Sequence, residues 1–375
     1  MAKTLFDNVR IGPVTLNNRF VRSATWEGMC DERGAATGRL IDYYADLARG
    51  GTGLIISGYT YVREDGKQFP GKMGLYSDEL VAQLRDLTAA VHKEQGKIFC
   101  QLVHAGGQTS AKMIGRQPLA PSAVEFPSYG ELPKAMAAAE IEGLVDAFAT
   151  AAKRAVQAGF DGVQLHGAHC YLINQFLSPL TNRRTDQYGG SLDNRMRFLE
   201  DVYQRVRAAV GREFPVTIKL TATDQLEGGF QVEDALIVAR RLGELGIDAI
   251  EVSSGTPASG DLSPVRQHID APHKEAYNAD YARQIKSVVD VPVMTVGGLR
   301  SCPVMQNILR EGDADLFALS RPLIREPYLP RKWRDDEGHV ATCISCNGCF
   351  RPGLKEGGIY CVVDKIEWEN RDTQM

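Results

Sequence analysis

Eight short apolar runs, each of strand length, recur along the chain at 20–25, 53–58, 98–104, 162–168, 216–220, 249–254, 293–298 and 316–321. Runs such as Gly53-Leu54-Ile55-Ile56 are apolar throughout instead of alternating, the pattern of a strand covered on both faces. Helical spacing marks 38–49, 78–95, 139–158, 232–245, 278–289 and 302–311, and glycines such as Gly51, Gly96 and Gly159 stand just past three of these ends. Parallel strands need crossover helices, and eight such units suggest closure into an α/β, (β/α)8 TIM barrel. The rival is a doubly wound open sheet, but no Gly-x-Gly-x-x-Gly follows the first strand. The expected organisation is a barrel over 1–330 with a C-terminal cysteine-rich extension over 331–375.

A barrel has a chemical consequence, because the C-terminal ends of all its strands open on one face, where active sites sit. Polar residues and glycines gather at those ends: Ala24-Thr25-Trp26, Gly58-Tyr59, Gln101, His166 to Tyr171, Lys219, Gly297-Gly298 and Ser320-Arg321. His166 and His169 can donate hydrogen bonds and Tyr171 can give up a proton, a set able to polarise a carbonyl and protonate a carbon. Gly297 and Gly298 allow close backbone approach, and Arg321 offers a bidentate contact, so the loops after strands seven and eight are expected to bind a phosphate. The Gln101 carboxamide can pair with the edge of a heterocycle. Lys219 brings positive charge to the pocket; alternatively it snorkels to the surface or forms a Schiff base in a flavin-free barrel lyase. The loop over 105–135 is rich in glycine, proline and serine, and loops of that length are uncommon without a function.

A formal net charge of −4 gives no case for a nucleic-acid or membrane-surface partner. No window of ~18 apolar residues is present, so no membrane-spanning helix is expected. The first residues lack the apolar run of a secretory signal, and a cytoplasmic location follows by default. Of eight cysteines, Cys30, Cys100, Cys170 and Cys302 are isolated, whereas Cys343, Cys346, Cys349 and Cys361 crowd together. In that setting such a cluster points to metal or redox chemistry.

The segment His166-Gly167-Ala168-His169-Cys170-Tyr171-Leu172, with Asn174-Gln175-Phe176-Leu177-Ser178-Pro179 and the run from Asn182 to Arg195, resembles the signature of the Old Yellow Enzyme family. Leu5-Phe6, Asn18-Arg19, Gln101 to Gly106, Leu119 to Ser122 and Gly312 to Asp315 extend the resemblance along the barrel. It implies an FMN-dependent ene-reductase that reduces the C=C bond of α,β-unsaturated carbonyl compounds with NAD(P)H. His166 and His169 would hold the carbonyl and Tyr171 would protonate the α-carbon. Ala24, Thr25 and Gly58 would lie along the flavin, Gln101 and Lys219 at its pyrimidine edge, and Gly297, Gly298, Ser320 and Arg321 at its phosphate. Two departures stand out: Trp26 where relatives often carry Cys or Thr, and Cys170 where glycine is common.

Cys343-x2-Cys346-x2-Cys349-x11-Cys361 is similar to the run that holds a [4Fe–4S] cluster beside FMN in larger members such as 2,4-dienoyl-CoA reductase and trimethylamine dehydrogenase. Structural zinc and metal-free thiols are the alternatives. Those members continue into domains that feed electrons through the cluster; with a cluster here, a separate electron-transfer protein could exchange electrons with it, whereas direct reduction of FMN by NAD(P)H would leave the cluster structural or vestigial, and a homo-oligomer is left open. An amine dehydrogenase is the same-family alternative to the reductase.

Overall fold

The computed structural model describes residues 3–372. The eight barrel strands are β1 (Phe20–Arg22), β2 (Leu54–Ile56), β3 (Ile98–Val103), β4 (Gly162–Gly167), β5 (Val216–Thr221), β6 (Ile250–Ser253), β7 (Val293–Val296) and β8 (Leu316–Leu319). Each pairs in parallel with the next, and β8 pairs with β1 while β3 pairs with β4, so the sheet closes. The open-sheet alternative is excluded by that closure. Crossover helices are α1 (Gly38–Arg49), α2 (Val81–Lys93), α3 (Ala138–Gln157), α4 (Leu192–Val210), α5 (Val232–Leu245), α6 (Ala279–Lys286) and α7 (Cys302–Glu311). Helix α4 is not among those marked by spacing above. Its buried face (Met196, Leu199, Val202, Tyr203, Val206) is interleaved with charged residues, and Ser191 caps it by accepting from the Asn194 N–H.

Alternation along each strand sorts side chains into two cores. On β3, Cys100 and Leu102 point to the helices, while Phe99 and Gln101 point into the barrel. The inward residues form layers. The lowest is apolar and contains Val21, Leu54, Ile56, Phe99, Met294 and Leu316. A hairpin of Val9–Ile11 and Val14–Leu16 closes the barrel floor with Ile11 and Leu16. One inward position higher, the layer turns polar with Ser23, Gln101, Gln164, Lys219 and Glu251, all buried.

Two additions shape the mouth. After β2 the chain runs upward through Thr60–Tyr61, which pairs with the upper half of β3, and returns through Met73–Gly74. The loop between them is tied down by Asp65, which accepts from Arg63 and is hydrogen-bonded to His104. The second addition is the segment after β8, with helices α8 (Arg321–Arg325), α9 (Leu329–Asp335), α10 (Phe350–Lys355) and α11 (Val362–Asp372). This extension does not stand apart. Trp333, Ala341, Cys349 and Ile359 lie in the barrel's own helix-side core, and the Ile359 N–H donates to the Glu27 carbonyl. No helix among the described residues is long and apolar enough to cross a membrane.

Candidate active site

At the C-terminal ends of the strands lies a cavity of about 1060 Å³, its open mouth included. Of the residues singled out from sequence, Ala24, Thr25, Gln101, His166, His169, Tyr171, Lys219, Gly297, Gly298, Ser320 and Arg321 line it. Gly58 does not. It stands one residue behind the wall, where a Cβ would collide with the Glu27 carboxylate and the Thr25 carbonyl, and Tyr59 reaches the cavity in its place.

The floor is a buried polar relay. Gln101 Nε2 donates to Gln164 Oε1 (2.8 Å), and Gln164 Nε2 donates to Glu251 Oε2 (2.9 Å). Glu251 Oε1 accepts from Ser23 Oγ (2.6 Å) and sits 3.1 Å from Lys219 Nζ, which also donates to Ser23 Oγ (2.8 Å). Lys219 Nζ is thus engaged by both Glu251 and Ser23 within the floor, whereas a Schiff base requires an amine free to attack a carbonyl. Ser23, Gln164 and Glu251 escaped the sequence reading. The available signal was a glutamate inside the apolar run Ala249-Ile250-Glu251-Val252.

One wall carries the imidazoles and the phenol. His169 and Cys170 both adopt left-handed backbone (φ 60° and 61°), which turns the chain sharply after β4. Such residues cost about 1–3 kcal/mol each unless their surroundings hold them. Here Asn174 Oδ1 accepts from the Cys170 N–H, Gln175 Nε2 donates to the Cys170 carbonyl, and Gln108 Nε2 donates to the His169 carbonyl. This accounts for a glycine-favouring position being filled by Cys170, whose buried thiol is pushed up and therefore inert.

His166 Nδ1 accepts from the Ala168 N–H (3.3 Å), which leaves the ring proton on Nε2, a donor without a hydrogen-bond partner among the described residues. His169 Nε2 is held by Ser253 Oγ at 2.7 Å. Burial keeps both rings well below the usual histidine range, reinforced at His166 by His169 and Lys219 and at His169 by Lys219. Both rings are therefore neutral at pH 7; His166 presents its Nε2–H, and His169 has Nδ1 to present a proton when Nε2 accepts from Ser253 Oγ. The Tyr171 ring meets that of His166 at 4.8 Å, and its hydroxyl donates to Gln68 Oε1 (2.7 Å). Burial raises the phenol and the Gln68 hydrogen bond only partly offsets it, so Tyr171 stays protonated.

Gln68 and Lys72 come from the tied-down loop after β2 and were not anticipated, since a loop carries no periodicity to expose them. Trp26 packs beside Phe69 in that loop, donates from Nε1 to the Pro70 carbonyl, and touches Gly353 of α10. It therefore joins the extension to the cavity wall.

At the far end, Gly297 (φ +134°) and Gly298 (φ +70°) lie flat against the Tyr277 ring, where a Cβ on Gly297 would come within 2.5 Å of a ring carbon. Ser320 Oγ is 2.7 Å from Thr25 Oγ1. Arg321 spends Nη1 on the Arg266 and Ser345 carbonyls and Asn347 Oδ1. Its Nε and Nη2 have no hydrogen-bond partner among the described residues. A side-chain-free cradle beside an open guanidinium edge fits a phosphate, and the Gln101–Lys219 floor fits a heterocycle's polar edge, so the residues present fit FMN.

Arg321 also borders a second cavity, of about 310 Å³, lined by all four clustered cysteines with Ile324, Ile344, Val362 and Val363. Left-handed Ser345 and Asn347 (φ 56° and 60°) wind the Cys343–Cys349 loop about this space. Among the described residues no three His, Cys, Asp or Glu side chains gather tightly enough to hold a metal ion.

A closed parallel barrel with an anion cradle after β7 and β8, a lysine–glutamine floor and neutral imidazoles beside a phenol is the arrangement of a flavin-dependent barrel oxidoreductase. The model of the NADH:flavin oxidoreductase / NADH oxidase family matches residues 4–337, and the chain belongs to that family. It is 40% identical over 352 residues to the NADH oxidase of Thermoanaerobacter brockii, covering 92% of this chain and 53% of that protein. It is 38% identical over 358 residues to the NADPH dehydrogenase of Geobacillus sp. (strain WCH70), covering 95% of this chain and 100% of the relative. The chain thus spans about half of the first relative and the whole of the second. Among solved structures, a 2-naphthoyl-CoA reductase complex superposes with a TM-score of 0.89 at 29% identity, over 98% of this chain and 58% of that one. Old Yellow Enzyme homologues share the fold.

Proposed function

We propose that the protein is an FMN-dependent ene-reductase that uses NADH or NADPH to reduce the C=C bond of an α,β-unsaturated carbonyl compound. The observation that carries this is the neutral His166 Nε2–H facing the same cavity as a protonated Tyr171, above a floor suited to a flavin. FMN, when bound, supplies the hydride. His166 and His169 hold the carbonyl oxygen and stabilise negative charge as it develops there, in the manner of an oxyanion hole. Being uncharged, they do so without repelling Lys219. Tyr171 gives its proton to the α-carbon and recovers one from solvent, while Gln68 keeps the phenol aimed. Lys219 and Gln101 orient the heterocycle, and Ser320, Arg321, Gly297 and Gly298 hold the phosphate.

The cavity also bears on the amine dehydrogenase alternative. Its charged lining groups are Lys72, Lys219, Arg300 and Arg321, with no carboxylate among the described residues, a poor host for a cationic amine. We further propose that Cys343, Cys346, Cys349 and Cys361 hold a [4Fe–4S] cluster. Four thiols around one cavity, without a tight three-ligand group, suit a cluster-sized ligand better than a single zinc ion.

The test is anaerobic turnover of 2-cyclohexen-1-one with NADPH or NADH by the flavin-loaded protein. Wild type is expected to saturate the alkene. Tyr171→Phe is expected to lower the rate of alkene reduction by about 10²-fold or more, the usual scale of a lost general acid, with flavin reduction by the nicotinamide intact. Oxidation of methylamines by a protein that leaves cyclohexenone untouched would reverse the assignment.

A further inference from the structure

A phenol that protonates carbon is left as a tyrosinate, and at Tyr171 that negative charge forms in a buried wall, where it is costly unless a positive charge answers it. Burial already raises the phenol. The groups that touch it carry no charge to offer. Gln68 is a neutral amide that accepts from the hydroxyl, and His166 is a neutral imidazole whose ring packs at 4.8 Å.

Four cations line the cavity, and three are committed elsewhere. Lys219 is held by Glu251 and Ser23, Arg300 donates to the Ile269 and Ala341 carbonyls, and Arg321 donates to the cysteine loop. The fourth is Lys72. It is 3% exposed, and among the described residues it makes no hydrogen bond and no ion pair within 4.0 Å. Its ammonium rests 3.8 Å from the Tyr59 ring centroid and 5.8 Å from that of Tyr171, and these two rings meet edge-on at 5.1 Å. A ring face holds a cation but leaves its N–H donors unspent. The carboxylate that acts on Lys72 is Glu27, which accepts from the Tyr44 hydroxyl (2.8 Å) and lies 4.0 Å from Arg22. Gln68 and Lys72 share the loop that Asp65 pins to Arg63 and His104, so one fixed segment brings both to Tyr171.

We propose that Lys72 acts through Tyr171: its ammonium is the counter-charge of the tyrosinate left when the phenol protonates carbon. Lys72 is thus a positioning residue, and the proposal rests on the ene-reductase reading and deepens it. As hydride reaches the β-carbon, the C=C electron pair takes the Tyr171 proton to form the Cα–H bond. The O–H bonding pair stays on the phenolic oxygen. Lys72 keeps its three protons throughout, and the tyrosinate recovers one from solvent. At separations of this order, opposite unit charges in a protein site shift an acid equilibrium by about a hundredfold, and a half-transferred proton feels about a tenfold share.

The charged and titratable groups facing the ammonium are Glu27 after β1, with Arg22 behind it, Tyr59 after β2, His166 on β4, and Tyr171. The histidine is neutral and burial raises both phenols. Burial holds Lys72 down to about 7 against the pull of Glu27, and pushes Glu27 up to about 7. Proton loss from either removes positive charge from beside Tyr171, so both weaken its acid function as pH rises.

The experiment follows reoxidation of dithionite-reduced, FMN-loaded protein by 2-cyclohexen-1-one in anaerobic stopped flow. This neutral substrate gives Lys72 no anion to bind. Lys72→Met is expected to slow reoxidation about tenfold, but to change it by less than about twofold when Tyr171 is already Phe. The wild-type rate should fall as pH rises through about 7, and the Tyr171→Phe rate should stay flat. That contrast decides the matter if Lys72→Met fails to fold. Equal loss in both backgrounds, or parallel pH profiles, overturns the proposal. A readout free of turnover is the NMR signal of tyrosine labelled at the ring carbon bearing the hydroxyl. The Tyr171 signal, assigned by its absence from Tyr171→Phe, should shift as pH passes about 7 and stay still in Lys72→Met. Protein that shows this shift but leaves cyclohexenone unreduced keeps the Lys72–Tyr171 pairing and loses the reductase. Protein that reduces the enone without the shift keeps the reductase and loses Lys72.

Discussion

Glu251 is fully buried in the middle of a barrel strand, and every hydrogen bond it makes is to a residue of the floor. Taking a carboxylate and an ammonium out of water costs several kcal/mol each, repaid only when geometry is good and the remaining donors are satisfied. Ser23 and Gln164 meet that condition here. Removing one partner leaves the other as a buried, uncompensated charge. Glu251→Leu should therefore lower unfolding free energy by about 3–5 kcal/mol in urea titrations, and it should weaken FMN retention as Lys219 and Gln164 lose their anchor. A loss below ~1 kcal/mol would mean that solvent reaches Lys219. At this scale the sequence exposed residues that break a pattern at strand ends: His166, Tyr171, Lys219 and Arg321. It hid those whose roles depend on a neighbour. Lys72 and Gln68 lie in a loop with no period to violate, and their importance comes only from burial against Tyr59 and Tyr171.

At the scale of elements, the barrel repeat was readable because the strands are short and largely apolar and most of the helices between them carry one apolar stripe. The bounds of α1, α5 and α7 match their spacing to the residue. The segment joining barrel to extension was not readable: Leu329, Trp333 and Ala341 bury in the helix-side core, but the path of the chain over Glu326 to Thr342 is set by polar contacts to Glu326. Glu326 accepts from Lys332 Nζ, from the Thr342 N–H and hydroxyl, and pairs with His339. Burial works against its ionisation, but these donors outweigh it and hold the carboxyl down to about 2, against 4.5 in the unfolded chain. A depressed acid contributes fully above its unfolded value, and the contribution is lost as pH falls from about 4.5 through about 2. Glu326→Gln should accordingly destabilise the protein by ~1–3 kcal/mol at pH 7, and the gap to wild type should narrow below pH ~4.5 and be nearly closed at pH ~2 in chemical denaturation. A gap that persists at pH 2 would assign the loss to packing.

Across the whole molecule, the cysteine extension and the barrel mouth form one body. Arg321 borders both cavities, Trp26 leans on Gly353, and the Ile359 N–H reaches the residue after Trp26. Spacing alone placed the four thiols in one group, but it could not show that they share a wall with the phosphate cradle, because that contact joins β8 to a loop more than twenty residues later. Left-handed Ser345 and Asn347 are the local device, and Arg321 donating to the Ser345 carbonyl and Asn347 Oδ1 ties their loop to the barrel. If a [4Fe–4S] cluster fills that space, anaerobically prepared protein should carry about four iron and four sulfide per chain and negligible zinc. Replacing Cys346 and Cys349 by Ser should abolish the iron and its broad visible absorption. FMN should then be held more weakly, because the Ser345 carbonyl and Asn347 Oδ1 of that loop help to hold Arg321 Nη1 and leave the other edge of the guanidinium open. Stoichiometric zinc without sulfide would refute the cluster. Full FMN affinity in the iron-free variant would show that the barrel orients Arg321 without help from the extension.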